Sequence, residues 1–226
     1  MKIFIASPCL NYNCSTNYTY SLIKTIELLI KLNIEYLICF NNNLITPLSR
    51  DIITNQFLNS DCTHLFFIDT DISWDANDFI KIITNCKDVL GGCYPFKQYY
   101  FEKFSTTFTL SNIKYKLINY VAQKDENQNN IIDKDIVNCK NLGTGFMCIK
   151  KNVFLNLSDK CKKYKYNNKD LINYFALTYN EIYLPEDYNF CKLVNDNNML
   201  VQADISVNLT HEGINVIEGN VKLSSL

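Results

Sequence analysis

From residue 3 to residue 68 the chain alternates short apolar runs with longer stretches of helical periodicity, and no other feature limits its fold so tightly. Residues 3–6, 36–40 and 65–68 read as strands. Between them, 15–32 carries Leu22, Ile26, Leu29 and Ile30 at helical spacing behind Ser15 or Thr16 as cap, and 48–58 reads as a second helix. Strand, helix, strand, helix, strand predicts an α/β fold with a mostly parallel central sheet flanked by helices. Ligands then gather at the carboxyl ends of the strands.

The remainder continues less regularly. A third helix is expected over 76–85 and a short strand over 88–90, running into Gly91-Gly92-Cys93-Tyr94-Pro95. Residues 115–121 read as a strand and 123–130 as a polar surface loop; 136–149 read as strands around Gly143-Thr144-Gly145. A helix begun by Pro185 is expected over 187–195, and a late strand over 200–205. No repeat or linker divides the chain, so 1–226 is expected to form a single domain.

With 47% hydrophobic residues among 226, a sizeable core is within reach. A formal charge of -1, from 22 basic and 23 acidic residues, offers no field for nucleic acid or an anionic membrane, so phosphate recognition must be local. The start lacks the pattern of a secretory signal, and no apolar run is long enough to span a bilayer. The ten cysteines show neither a Cys-x-x-Cys pair nor zinc spacing. They read as reduced thiols of a cytoplasmic protein.

The chemistry concentrates where the third strand ends, in Phe66-Phe67-Ile68-Asp69-Thr70-Asp71. Side chains alternate along a strand, so Asp69 and Asp71 share a side, and carboxylates that close repel unless a cation sits between them. Oxygen ligands of this kind suit Mg2+ or Mn2+ carrying a polyphosphate, although the same acids can merely cap the next helix. An EF-hand loop is disfavoured, because its glycine and closing glutamate positions hold Trp74 and Ile80. Asp69-Thr70-Asp71-Ile72-Ser73 also fits the motif of a haloacid-dehalogenase-like phosphatase. That family expects its nucleophile on the first strand and a later Gly-Asp-x-x-x-Asp, and neither is found.

Four further sets of residues are candidates. Glu186 and Asp187 begin a helix, where acids complement the dipole without any catalytic role; a general base is expected there only if that turn faces Asp69 and Asp71. His211 follows the last strand and is either a structural histidine or a metal ligand, while His64 is read as structural. Gly143-Thr144-Gly145 allows close backbone approach, to a ligand or within a tight turn. Arg50 and Lys97 are phosphate contacts or solvated charges.

Taken in order, Lys2-Ile3-Phe4-Ile5-Ala6-Ser7-Pro8, Arg50-Asp51, the run from Thr63 to Asp71, Gly92-Cys93-Tyr94-Pro95-Phe96-Lys97, Gly143-Thr144-Gly145-Phe146-Met147, Glu186-Asp187-Tyr188-Asn189-Phe190-Cys191 and Thr210-His211-Glu212-Gly213 resemble the small family-2-like glycosyltransferases of GT-A fold. Such enzymes occur in large DNA viruses, phages and bacteria, and the resemblance covers nearly the whole chain. It implies a metal-dependent transfer of a sugar from a nucleotide-sugar donor, with uridine the preferred nucleotide, to a glycan or other hydroxyl acceptor, in the cytoplasm of the cell or host.

By that resemblance Asp69, Asp71 and His211 would hold Mn2+ or Mg2+, with Ser7, Pro8, Arg50 and Asp69 around the nucleotide and Lys97 as a weaker transfer. Gly143, Thr144 and Gly145 would lie beside the donor sugar, Asp187 would be the base, and Glu186 would orient a hydroxyl. A nucleotide-binding half of about 1–98 and an acceptor-side half of about 99–226 would follow. Asp51 stands where relatives usually have Asn, which would alter the nucleotide contact, and 98–138 matches no motif. A phosphatase and a catalytically silent sugar-binding module remain the rival readings.

Overall fold

The computed structural model describes residues 1–104, 109, 111–125, 131–133, 135–179 and 181–224. The expected alternation is present: β1 (Lys2–Pro8), α1 (Thr16–Lys31), β2 (Glu35–Asn41), α2 (Thr46–Leu58) and β3 (His64–Ile68). The Ser15 hydroxyl caps α1 by accepting from the Tyr18 N–H. Next come β4 (Ile72–Ser73), α3 (Ala76–Asn85), capped by Asp75, and β5 (Val89–Gly92).

After short α4 (Ile113–Lys116), β6 (Ala122–Lys124) and β7 (Ile131–Asp133) precede two longer strands, β8 (Ile136–Leu142) and β9 (Phe146–Lys150). Then follow α5 (Lys151–Leu157), a hairpin of β10 (Lys163–Tyr166) and β11 (Lys169–Ile172), and a smaller one of β12 (Thr178–Tyr179) and β13 (Ile182–Tyr183). The last elements are α6 (Glu186–Asp196), β14 (Val201–Asp204), β15 (Thr210–Glu212) and β16 (Val216–Glu218).

One nine-stranded sheet organises the molecule in the order β2-β1-β3-β9-β5-β14-β8-β6, with β7 also on β8. β1 pairs in parallel with both β2 and β3, and β14 with β5. β9 enters between β3 and β5 antiparallel to both, pairing Ile68 with Phe146. The fold is therefore mixed α/β with a mostly parallel central sheet flanked by helices, as the alternation predicts.

Burial on both faces explains why β1 and β3 read as unbroken apolar runs. Neighbours Phe66 and Phe67 of β3 point to opposite sides. Phe66 stacks on Phe79 of α3 at 4.3 Å between ring centres, and Phe67 meets Phe175 edge-on at 5.5 Å. All ten cysteines are free thiols, most of them buried as small apolar residues.

Two expectations fail. Over 115–121, where a strand is expected, the chain instead closes the helical turn of α4 and then makes an isolated bridge between Pro95 and Tyr120. Leu117 and Ile118 are both buried, so the apolar run anchors a connection and does not alternate across a sheet. In the polar stretch 123–130, Gln123 and Lys124 belong to β6, where Gln123 accepts a 2.7 Å hydrogen bond from the Asn141 amide of β8; residues 126–130 lie outside the described ones. Among the described residues no helix is long and apolar enough to cross a membrane.

Candidate active site

Two junctions bring the candidate residues together. The first is the entry of β9 beside β3. There the Asp69 N–H donates to the Gly145 carbonyl at 2.9 Å, fixing the acids at the strand end against the glycine loop. The second is the three-stranded sheet β16-β15-β4, in which His211 pairs with Ile72. Its Glu212 N–H donates to the Asp71 carbonyl at 2.8 Å, which holds His211 next to Asp71.

Asp69 and Asp71 diverge. Asp69 Oδ1 accepts from Arg50 Nη2 at 3.0 Å, and Arg50 Nε lies 3.6 Å from Glu186 Oε1. The guanidinium is 5.1 Å from the Phe67 ring centre, and the residue is only 2% exposed. Arg50 therefore joins the end of β3 to the start of α6. Through Arg50 the Glu186–Asp187 turn lies against Asp69. Arg50 Nε and Nη1 are buried without a hydrogen-bond partner among the described residues, a costly arrangement that an oxygen-rich ligand would relieve.

Asp71 is held by Lys97 and His211. Lys97 Nζ contacts its Oδ2, and His211 Nε2 lies 3.5 Å from its Oδ1. Burial acts to raise the Asp71 carboxyl, but the bonds from His211 and Lys97 outweigh it and leave it below the usual carboxylate range. Gly213 clears a path for Lys97, since a Cβ there would meet the Lys97 Cδ at 2.8 Å. His211 Nδ1 is 2.7 Å from the Pro95 carbonyl oxygen, which can only accept, so Nδ1 carries the hydrogen.

These contacts allow a test of fit for a divalent cation. Asp71 Oδ1 and His211 Nε2, 3.5 Å apart, are a carboxylate oxygen and an imidazole nitrogen, both donor types that Mn2+ accepts. Asp71 and His211 fit. Asp69 is engaged by Arg50, and among the described residues no group of three His, Cys, Asp or Glu side chains is arranged to hold a metal by itself. A cation here would need oxygens from a ligand, the common situation for Mg2+ on substrate phosphates.

Asp187 differs from its neighbours. Its Oδ1 accepts from the Tyr188 N–H at 2.8 Å. Burial first, then the Glu186 charge, pushes the carboxyl up to about 6 against the opposing effect of Arg50. A carboxyl tuned near neutral pH can take a proton from a hydroxyl and release it again.

The glycine loop is filled from within. A Cβ on Gly143 would lie 2.2 Å from the Tyr94 hydroxyl; one on Gly145 would meet the Tyr94 ring at 2.8 Å and Asp69 Oδ2 at 2.9 Å. Thr144 is also buried. The glycines thus admit Tyr94, whose hydroxyl accepts from the Gly145 N–H at 3.3 Å and whose ring meets His211 edge-on at 5.2 Å. Burial and the nearby charges of Asp69 and Asp187 raise the phenol far above its ordinary value. Sequence reasoning missed Tyr94; its one signal is its place between the Gly91-Gly92 pair and Pro95.

Ser7 and Pro8 end β1 at the same edge of the sheet, but the Ser7 hydroxyl is buried against the Tyr18 hydroxyl at 2.6 Å. Asp51 leaves the site altogether, because one step along a helix turns the side chain by about 100°. It accepts from the N–H groups of Tyr174 and Phe175 at 3.0 and 3.2 Å and from the Tyr164 hydroxyl at 2.8 Å. Asp51 therefore braces the segment that follows α5, including the β10–β11 hairpin. His64 bonds the Thr63 hydroxyl at 2.8 Å, and burial lowers it to about 4, in keeping with a structural role.

No protein-family model matches the chain, and no curated protein matches it. Among solved structures it is similar to A197 from STIV, at 19% identity and a TM-score of 0.47 over 97% of this chain and 94% of that one. It is similar also to a glycosyltransferase involved in the glycosylation of the major capsid of PBCV-1, at 13% identity and a TM-score of 0.34, over 69% of this chain and 62% of that one. A third similarity is to the inositol-1-phosphate CTP transferase from T. maritima, at 11% identity and a TM-score of 0.41, over 90% and 84%.

Proposed function

We propose that the chain is a nucleotide-sugar-dependent glycosyltransferase of GT-A type, which transfers a sugar, with inversion, from a UDP-sugar to a hydroxyl acceptor. One observation carries the reading: buried Arg50 ties Asp69 to Glu186, so the acids ending β3 and the raised carboxyl of Asp187 serve one site. Asp187 is the base that takes the acceptor proton, and Glu186 orients a hydroxyl. Arg50 and the ammonium of Lys97 donate to donor phosphate oxygens. Ser7 and Pro8 border the nucleotide, and Gly143, Thr144 and Gly145 back the donor sugar through Tyr94. Asp71 and His211, with Asp69 nearby, would hold Mn2+ or Mg2+, which when bound stabilises charge on a leaving diphosphate.

The test is thermal denaturation of wild type and Asp71→Ala with UDP, GDP or ADP, each with and without Mn2+, beside an assay for nucleoside diphosphate release from UDP-sugars. A ligand at about 100 times its dissociation constant adds about 2.7 kcal/mol. A Mn2+-dependent rise for one nucleotide, absent in Asp71→Ala, is expected. Release of inorganic phosphate from phosphate esters, with phosphorylation at Asp69, would replace this reading with the phosphatase one. Nucleotide or glycan binding without turnover would leave a silent module.

A further inference from the structure

A second cleft lies on the other side of α2. Arg50 faces Asp69, whereas Ile52, two residues on and about 200° around the helix, lines a cavity of about 310 Å3 between the end of β2, α2 and the tip of the β10–β11 hairpin. That volume is at the small end of ligand clefts. Its lining is dominated by primary amides: Asn41, Asn42, Asn43, Asn55, Gln56 and Asn167. Among the described residues no carboxylate lines it, and Lys169 is the one charged side chain.

The amides are oriented. Asn41 Oδ1 accepts from the Ser49 hydroxyl at 2.9 Å, and Asn42 Oδ1 from the Asn11 N–H at 3.1 Å. Asn43 Oδ1 accepts from the Ile45 N–H at 3.0 Å, and Gln56 Oε1 from the Cys39 thiol at 3.0 Å. With these four oxygens engaged by the protein, the NH2 groups of the same residues are the ends turned to a ligand. Asn43 Nδ2 donates to the Tyr166 hydroxyl at 3.4 Å, which leaves that hydroxyl's own hydrogen to be donated onward. The NH2 groups of Asn41, Asn42 and Gln56 have no partner among the described residues.

The far wall is rigid. Asn167 and Asn168 sit at φ 47° and 61°, as the two central residues of a tight two-residue hairpin turn require. Tyr164 and the Asp170 carbonyl fasten the hairpin to Asp51 and Asn55 of α2. The cleft is thus preformed, so a ligand need not order it.

We propose that this cleft is a carbohydrate-binding site, separate from the Asp69–Asp71 centre, for a neutral oligosaccharide. A row of fixed donors with one cation and no acid matches the hydroxyl and ring oxygens of a sugar. A phosphate calls for more than one cation, and nucleic acid for a basic stripe. The ligand class is read from the cleft alone and does not rest on the transferase reading.

The experiment is a titration of the 15N-labelled full chain with maltotriose, cellotriose and triacetylchitotriose at millimolar concentrations, following side-chain amide signals by NMR. At least one sugar is expected to give saturable shifts at Asn42, Asn43 and Gln56. Asn43→Ala and, as an outward-facing helix position, Gln56→Leu are each expected to weaken it on the order of tenfold, the size of about one hydrogen bond, with the rest of the spectrum retained. No shift with any sugar, shifts confined to other surfaces, unchanged affinity in both folded variants, or stronger shifts with inorganic phosphate would each overturn the proposal. UDP with Mn2+, in a separate sample, reports the other site. A silent nucleotide titration beside a positive sugar one would remove the transferase reading and leave the cleft standing.

Discussion

Replacing Arg50 by Met tests whether the candidate site is held by charge. The substitution keeps much of the side-chain volume against Phe67 but leaves Asp69 and Glu186 without their shared cation. Removing one partner of a buried ion pair costs about 3 to 5 kcal/mol. The two carboxylate side chains are 30% and 20% exposed, so solvent screening reduces this to about 2 to 4 kcal/mol. For a chain of this size that is a fall in Tm of roughly 4 to 16 °C. Replacing a whole buried ion pair by neutral groups of similar volume is often neutral or stabilising by about 1 to 4 kcal/mol. Adding Asp69→Asn and Glu186→Gln to Arg50→Met should therefore restore stability to the wild-type level or above it. Urea unfolding of the single, double and triple variants reads both effects. A change within about 0.5 kcal/mol in Arg50→Met, or no recovery in the triple variant, would refute the argument.

Asp187, raised to about 6, must be ionised to act as base, so kcat/KM is expected to rise as pH passes upward through about 6 and then level; Asp187→Asn should abolish turnover while keeping the nucleotide-dependent thermal shift. Asp51 is pushed up to about 7 by burial, despite three hydrogen bonds to it. Its native form holds a proton that the unfolded chain has released, so its contribution to stability is full below the ordinary carboxyl value and is lost as pH rises through about 7. Asp51→Asn should accordingly compare better with wild type at pH 8 than at pH 5, by a few kcal/mol, in paired urea titrations. Gly145→Ala forces a Cβ against Tyr94 and Asp69 and should cost about 1 to 3 kcal/mol while weakening the nucleotide-dependent shift. Tyr94→Phe, which removes only the acceptor for the Gly145 N–H, should cost about 1 kcal/mol by thermal melting.

What sequence reveals here follows the range of the interactions involved. β1, β2, β3 and the helices α1, α2 and α3 are legible because each one's period lies within its own residues, as with the cap Ser15 on α1, whereas the two-residue β4 has no period to read. The β10–β11 hairpin was not, because its strands stay half exposed and depend on Asp51 of a distant helix; the Asn167-Asn168 pair was its one local signal. Sheet order was hidden for the same reason. Nothing in residues 146–150 announces that β9 runs antiparallel between β3 and β5.

That insertion decides the site. It sets the Gly145 carbonyl on the Asp69 N–H and draws Tyr94 into the space the two glycines leave, so the spacing of Asp69 and Asp71 alone could not show how the two acids would part. Sequence placed both on one side of a strand end, where repulsion argues for a shared cation. In the fold, Arg50 takes one and Lys97 with His211 the other, so the repulsion is answered by the chain itself. A divalent ion at Asp71 and His211 would then compete with Lys97 for the Asp71 carboxylate, and would be retained best together with an anion that draws Lys97 away and supplies further oxygen ligands. Mn2+ alone is therefore expected to shift Tm little, and Mn2+ with a nucleoside diphosphate to shift it by more than the two separate effects combined. Strict additivity in that four-way comparison would refute the coupling.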